Sequence, residues 1–257
     1  TETFGARYFS MVSAGRIDAI RDTIQGWRVS GEINHYGEAF LIASLLYGAD
    51  RIANTCGHYD AYRRQAPERE DLILRPPLVH PEANAGNVIL QGDANAIVRK
   101  MSCDVLYLDP PYNSRQYSDT YHVLENLARW EKPEVHGVAR KMDRAQMKSA
   151  YCKRNAEAAL EDLILHADAR YILLSYNNMG TRGDARSQAR IRDAAIWAAL
   201  ESRGPTKVHS FDFPAFNAGL ADHAQDHTER VFLCRVNTPP QGDPRHRIHM
   251  KGTPLEG

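Results

Sequence analysis

The chain lacks a net charge: 32 Lys and Arg residues stand against 32 Asp and Glu residues. A partner of one sign is therefore met by local patches, not by a field over the whole molecule. Cysteine is scarce and scattered. Cys56, Cys103, Cys152 and Cys234 form no Cys-x-x-Cys pair. That argues against a disulfide framework or a structural zinc site and fits a reducing cytoplasm. No apolar run approaches the roughly 18 residues of a membrane-crossing helix, so no membrane partner is expected. No signal-peptide pattern is seen, and no internal repeat. The first residue is Thr1 rather than Met, which is compatible with a trimmed beginning. What is present is a 43% hydrophobic share of 257 residues, enough for a sizeable core.

Two segments read as helices first. Ile17, Ile20, Ile24 and Trp27 recur at helical spacing, and Gly31 closes the run. A second helix is expected from about Glu38 to Ala53, on Phe40, Leu41, Leu45 and Ile52. "NTCGHYDAYRRQ" (Asn54–Gln65) reads as a polar and aromatic loop, and "LRPPLVHPEANAGN" as a connector. The pattern then changes. Strands are expected at Asn87–Gln91, Asp104–Asp109, Arg170–Tyr176, Lys207–Phe213 and Arg230–Val236. Helices are expected just after Gly92, and over Tyr121–Trp130, Asn155–Ala167 and Asp184–Gly204. Such alternation predicts an α/β fold with a mostly parallel sheet covered on both faces. The last two strands, joined without an obvious helix, suit an antiparallel edge pair. The polar tail, residues 238–257, reads as mobile.

One strand halts in an unusual way, on Asp109-Pro110-Pro111-Tyr112. In open α/β sheets, ligands bind beyond the carboxyl ends of the strands. The prolines cannot continue a ladder and fix φ. Each also biases its predecessor toward an extended form. The result is a stiff turn holding the Asp109 carboxylate beside the Asp109 and Pro110 carbonyls. This acceptor-only cluster suits a planar ligand that presents an NH2 group. Tyr112 places an aromatic ring within reach of the same ligand. An exocyclic amine on a nucleobase calls for both features. A plain strand-ending turn is the alternative.

"LDPPY" after an apolar strand resembles the signature of amino-methyltransferases that act on adenine N6 in DNA. The longer "DPPYNSRQYSDTYHVLENLARW", with "SYNNMG" downstream and "ADRIANTCGHYDAY" upstream, resembles the D12-type (alpha-class) adenine-specific DNA methylases. It is closest to the branch with the extended Asp-Pro-Pro-Tyr-Asn-Ser-Arg-Gln-Tyr string. The resemblance runs from about Tyr8 to Val236. It implies a Rossmann-like methyltransferase sheet that uses S-adenosylmethionine, with DNA as partner. It also implies a cytoplasmic setting in a bacterial or phage-type host cell. Residues 1–80 would then be a mostly helical, candidate target-recognition segment. Residues 81–237 would be the catalytic sheet, with a DNA-contacting insertion at about 113–154. Asp109 and the Pro110 carbonyl would accept hydrogen bonds from adenine N6, with Pro111 stiffening the turn. Tyr112 would stack on the flipped base.

The same resemblance makes Asp93 and Ala94, in "QGDA", contacts for the cofactor; an Asp93 helix N-cap is the competing reading, and both are compatible. Arg115, Tyr117 and Tyr121 follow the motif as substrate-binding candidates. Tyr176 and Asn177, at the end of the next strand, are expected to line the base pocket. Arg140, Lys141 and Arg144, then Lys148, Lys153 and Arg154, suit phosphate contact. Arg182, Arg186 and Arg190 recur every four residues. A solvated helix face is the alternative for all of these. Asn54–Gln65 is a further candidate for DNA contact. Asp222, His223, Asp226 and His227 sit in a polar loop, and no metal is expected there, because methyl transfer needs none.

The chain departs from the family in one respect. The Phe-x-Gly-x-Gly loop that the family places after its first strand has no match here; "TFGARYF" has one Gly and "GTRGD" lies downstream. The first strands of the sheet are therefore expected to be missing, and a second chain or an N-terminal segment to complete the cofactor site. Two functions remain open: an adenine-N6 methyltransferase, and a non-catalytic DNA-binding or partner subunit.

Overall fold

The computed structural model describes residues 1–65, 71–80, 82, 86–112, 114–177, 191–212 and 228–238. These divide into two compact units, Thr1–Asn87 with Gln116–Lys148, and Val88–Arg115 with Ser149 onward. Residues 116–148, expected within the sheet domain, thus group with the N-terminal helices.

In the first unit, α1 (Met11–Ser30) and α2 (His35–Arg51) precede two short helices, α4 (Tyr117–Thr120) and α5 (His122–Arg129). A helix leaves its first N–H groups without intrahelical partners. Ser10 caps α1 by accepting from Ser13 N, and Asn34 caps α2 by accepting from Gly37 N. Gly31 ends α1 at φ 80°, a left-handed conformation that glycine adopts without strain. Ile17, Leu45, Ala49, Val123 and Leu127 form the buried core with Tyr8, Phe9 and Tyr59, and Ile24 is buried as well. The periodic positions Trp27 and Phe40 are exposed instead. The helix expected over Tyr121–Trp130 is α5, ending where Trp130 turns left-handed; the short α4 precedes it.

Arg21 is 2% exposed in this core. Its Nε donates to Leu127 O at 3.0 Å and its Nη2 to Ala128 O at 3.2 Å. Those carbonyls belong to the last turn of α5, where no intrahelical donor remains. A buried cation thus caps a helix end whose partial charge is negative.

The second unit carries the sheet. β1 (Ser102–Leu108), β2 (Asp168–Asn177), β3 (Thr206–Asp212) and β4 (Thr228–Arg235) lie in the order β1-β2-β4-β3. β1 and β2 are parallel, and β4 is antiparallel to both β2 and β3. The sheet is therefore mixed rather than mostly parallel, because β4 pairs inward on β2 and leaves β3 at the edge. The expected antiparallel pair is present. Helices α3 (Ala94–Val98), α6 (Ala156–His166) and α7 (Asp193–Glu201) belong to this unit. Ile172, Leu174, Tyr176, Phe232 and Cys234 are buried among Leu160, Leu163, Ile164, Ile196 and Leu200 of α6 and α7. The other face is not covered in this way among the described residues: Val105 and Tyr107 are 53% and 58% exposed. Asn87–Gln91 forms no strand. A strand needs a neighbour to share its ladder, and Ile89 is 95% exposed.

Arg203 donates to Ile164 O, Leu165 O and Ala167 O, closing α6 as Arg21 closes α5. Beside it the chain turns at Gly204, where a Cβ would lie 2.1 Å from Arg235 O, so no other residue fits. Helix α7 starts at Asp193, and the earlier part of the helix expected from Asp184 lies outside the described residues. So do Asn113, "NMG" of "SYNNMG", Arg182, Arg186, Arg190, the Asp222–His227 loop and residues 239–257. No helix of the described residues is long and apolar enough to cross a membrane.

Arg21→Met is expected to lower the unfolding free energy by about 2–3 kcal/mol, the cost of leaving buried acceptors unpaired. Urea unfolding followed by tryptophan fluorescence measures it. An unchanged midpoint would show that water replaces the guanidinium at the α5 terminus.

Candidate active site

The register of β1 on β2 sets the geometry. Leu108 lies opposite Leu174, so the chain leaves β1 at Asp109 beside the end of β2. β4 runs the other way, and its first residues, Thr228 to Arg230, therefore lie beside the same end, with Glu229 opposite Asn177. Asp109 is exposed, while Pro110, Pro111 and Tyr112 are half-buried. The strand stops at Leu108 because the prolines have no N–H to give a neighbour.

Tyr112 is held from several sides. Its hydroxyl lies 3.2 Å from Asp109 Oδ1, 3.3 Å from Glu229 Oε2 and 3.4 Å from Ser175 Oγ. The Tyr176 hydroxyl donates to Tyr112 O at 3.3 Å and accepts from Ile191 N at 3.2 Å. The Tyr112 and Tyr176 rings meet edge to face, 5.1 Å between centroids. Burial pushes the Tyr112 phenol pKa up; the Ser175 hydroxyl opposes this, and the Glu229 and Asp109 carboxylates add to it. The phenol is therefore a neutral donor at any physiological pH.

The sequence-derived candidates divide as follows. Asp109, Pro110, Pro111, Tyr112, Tyr176 and Asn177 are brought to one end of the sheet. Tyr176 is fully buried and braces Tyr112 from the helix-covered face. Asn177 O accepts from Arg230 Nη2. Arg115 is exposed, and its carbonyl accepts from the Cys152 thiol. Asp93 caps α3 by accepting from Ala96 N at 3.0 Å, and both it and Ala94 are exposed. Ser175 and Glu229 were not singled out from the sequence. Glu229 lies at the start of the last strand, and only the strand order shows that an antiparallel strand starts where its neighbour ends.

Tyr117, Tyr121, Arg140, Lys141 and Arg144 belong to the first unit. Tyr117 and Tyr121 are exposed and stacked, 22° between planes. Lys141 pairs with Asp60, and lies 3.5 Å from Asp119. Arg144 Nε donates to Asp119 Oδ1 at 2.7 Å. These two cations are thus matched by two carboxylates. Arg140 has no carboxylate partner among the described residues. The Asn54–Gln65 loop turns its aromatics inward: Tyr59 is 1% exposed and donates to Asp50 Oδ1 at 2.8 Å. No group of three or more metal-ligating side chains occurs among the described residues.

Burial alone would raise the Asp119 carboxyl, but the Arg144 hydrogen bond and the Lys141 and Arg144 charges outweigh it and hold the carboxyl below its usual range. A depressed folded-state pKa stabilises the fold fully above the unfolded value. That contribution is lost as pH falls from the unfolded value through the folded one. The urea midpoint is therefore expected to drop below about pH 4, and less steeply in Asp119→Asn. Equal pH slopes for both proteins would remove Asp119 from the acid sensitivity.

Residues 5–180 match the family described as D12 class N6 adenine-specific DNA methyltransferase. Among curated proteins, the chain is 38% identical over 225 residues to the type II methyltransferase M.FokI of Planomicrobium okeanokoites, covering 86% of this chain and 33% of that protein. It is 38% identical over 177 residues to the type II methyltransferase M.NlaIII of Neisseria lactamica, covering 68% of this chain and 52% of that protein. The modification methylase StsI of Streptococcus sanguinis is 36% identical over 178 residues, covering 68% of this chain and 27% of that protein. The chain thus spans about a quarter to a half of the length of these relatives. No solved structure matches it.

Proposed function

The chain belongs to the D12 class of N6 adenine-specific DNA methyltransferases, and on that premise we propose that its Asp109–Tyr112 turn serves methyl transfer from S-adenosylmethionine to N6 of a flipped adenine in DNA. The observation that carries this reading is the exposed Asp109 carboxylate at the end of β1, next to a Tyr112 ring braced by Tyr176.

Adenine N6 is a poor nucleophile because its lone pair is delocalised into the ring. Asp109 and the Pro110 carbonyl accept its two N–H bonds. The nitrogen is drawn toward a tetrahedral form, and its lone pair is exposed. Tyr112 stacks on the base and fixes its plane, so the amine faces one direction only. The base reaches such a turn only outside the duplex. S-Adenosylmethionine, when bound, supplies a methyl group on a sulfonium whose carbon–sulfur electron pair returns to sulfur. The surplus N6 proton leaves to Asp109 or to water. Preorganised acceptors carry the rate without a covalent enzyme intermediate.

The residues present fit this cofactor where they would meet it. The exposed carboxylates of Asp93 and Asp109 are acceptors of the kind that an adenine amino group and a cationic sulfonium call for, and Asp93 with Ala94 would hold it. Tyr117, Tyr121 and Arg115 supply exposed stacking and cationic groups suited to a nucleic acid. The setting of this reading is a cytoplasmic, adenine-specific modification methylase of a restriction system; the family description supports the adenine and the relatives' names the modification role.

Asp109→Ala is expected to abolish transfer of a labelled methyl group while leaving DNA binding within about a few-fold. Tyr112→Phe keeps the stacking face and much of the activity. Tyr112→Ala is expected to lose about ten- to a hundred-fold, because base–aromatic stacking contributes roughly 1–3 kcal/mol. An active Asp109→Ala protein, or equal rates across the Tyr112 series, would sink these roles. DNA binding without any methyl transfer by the full-length protein would favour a non-catalytic partner subunit.

Arg140 carries the phosphate reading, since Lys141 and Arg144 already face carboxylates. Arg140→Gln is expected to weaken binding alike for all sequences, and to flatten the log–log salt slope by up to about 0.9. An unchanged slope would return Arg140 to a solvated surface role.

A further inference from the structure

The Tyr112 hydroxyl has one proton and two carboxylates to give it to, Asp109 Oδ1 at 3.2 Å and Glu229 Oε2 at 3.3 Å. Only one can receive it at a time. A phenol that donates to Asp109 occupies a lone pair of the carboxylate that the target amine needs. A phenol that donates to Glu229 leaves Asp109 to the amine. Ser175 Oγ, 3.4 Å away, completes the set, because a phenol oxygen also accepts.

Nothing else among the described residues accounts for Glu229. It is half-buried, and among the described residues it forms no ion pair. Its neighbour Arg230 is engaged elsewhere, with Asp193 Oδ1 at 2.9 Å and Asn177 O at 2.6 Å. Ser175 and Glu229 sit on strands rather than loops, so their positions relative to Tyr112 are set by the sheet ladder.

We propose that Glu229 is a positioning residue: it accepts the Tyr112 hydroxyl when the target amine occupies Asp109, keeping the ring set for stacking and the Asp109 carboxylate undivided. Its consequence for catalysis rests on the methyltransferase reading; the contact itself does not. No bond forms or breaks in this step, and one hydrogen-bond donor changes partner.

Two measurements on the full-length protein separate the contact from its consequence. The first is NMR with tyrosine labelled at Cζ, the Tyr112 signal being assigned by its absence in Tyr112→Phe. Glu229→Ala is expected to shift that signal, and Glu229→Gln, which retains an acceptor oxygen, to restore most of it. An unmoved signal overturns the proposal whether or not the protein methylates DNA.

The second is steady-state methyl transfer. Glu229→Ala is expected to lower kcat about ten-fold with the KM for DNA nearly unchanged, and Glu229→Gln to recover most of the loss. In a Tyr112→Phe background, Glu229→Ala is expected to change kcat less than about two-fold, because the group it acts through is gone. The same ten-fold loss in both backgrounds overturns the proposal. A full-length protein that transfers no methyl group sinks the methyltransferase reading, and the NMR shift alone then decides the Tyr112–Glu229 contact.

Discussion

The parallel pairing of β1 with β2 is the constraint from which the candidate site follows. Its register fixes Leu108 against Leu174, and so fixes where Asp109 leaves the ladder. The prolines then stop the strand at a point the ladder has already chosen. Antiparallel β4 adds Glu229 at the same end through its own register with β2. A one-residue slip in either pairing would send Ser175 or Glu229 to the opposite face, because side chains alternate along a strand. Three oxygens reach the Tyr112 hydroxyl only because both registers hold.

Two arginines do comparable work at helix ends. Arg21 closes α5 in the first unit and Arg203 closes α6 in the second, each by donating to last-turn carbonyls. A guanidinium suits this task because its donors form a planar fork that spans neighbouring carbonyls. The periodicity of α1 marks Ile17 and Ile24 as core. It says nothing of Arg21 between them, whose burial depends on acceptors about a hundred residues away in the chain.

Charge on the first unit is organised more locally than a count of basic residues suggests. Lys141 and Arg144 are tied to Asp60 and Asp119, which fixes the 116–148 segment at the cost of cations that would otherwise be available to phosphate. Arg140, next to them in sequence, is left with its charge unmatched by any described carboxylate. Tyr59 follows the same logic in the Asn54–Gln65 loop, where an aromatic that reads as a surface contact is instead a core residue with its hydroxyl on Asp50.

The elements and the chemistry of the turn are legible in the chain's local pattern. Helical spacing located α1, α2 and α6, apolar runs located all four strands, and Asp109-Pro110-Pro111-Tyr112 announced an acceptor cluster with an aromatic ring. These are local properties: a capping side chain, a 3.6-residue period and a proline act within a few residues of where they stand. Tertiary structure alone decided the rest. Strand order placed β4 between β2 and β3 and made the sheet mixed, and Asn87–Gln91 is not one of its strands among the described residues. It also brought Glu229, far along the chain, to Tyr112, and set the Tyr176 hydroxyl on Tyr112 O. Such pairings depend on which backbone edges meet, and no spacing within a single segment encodes that.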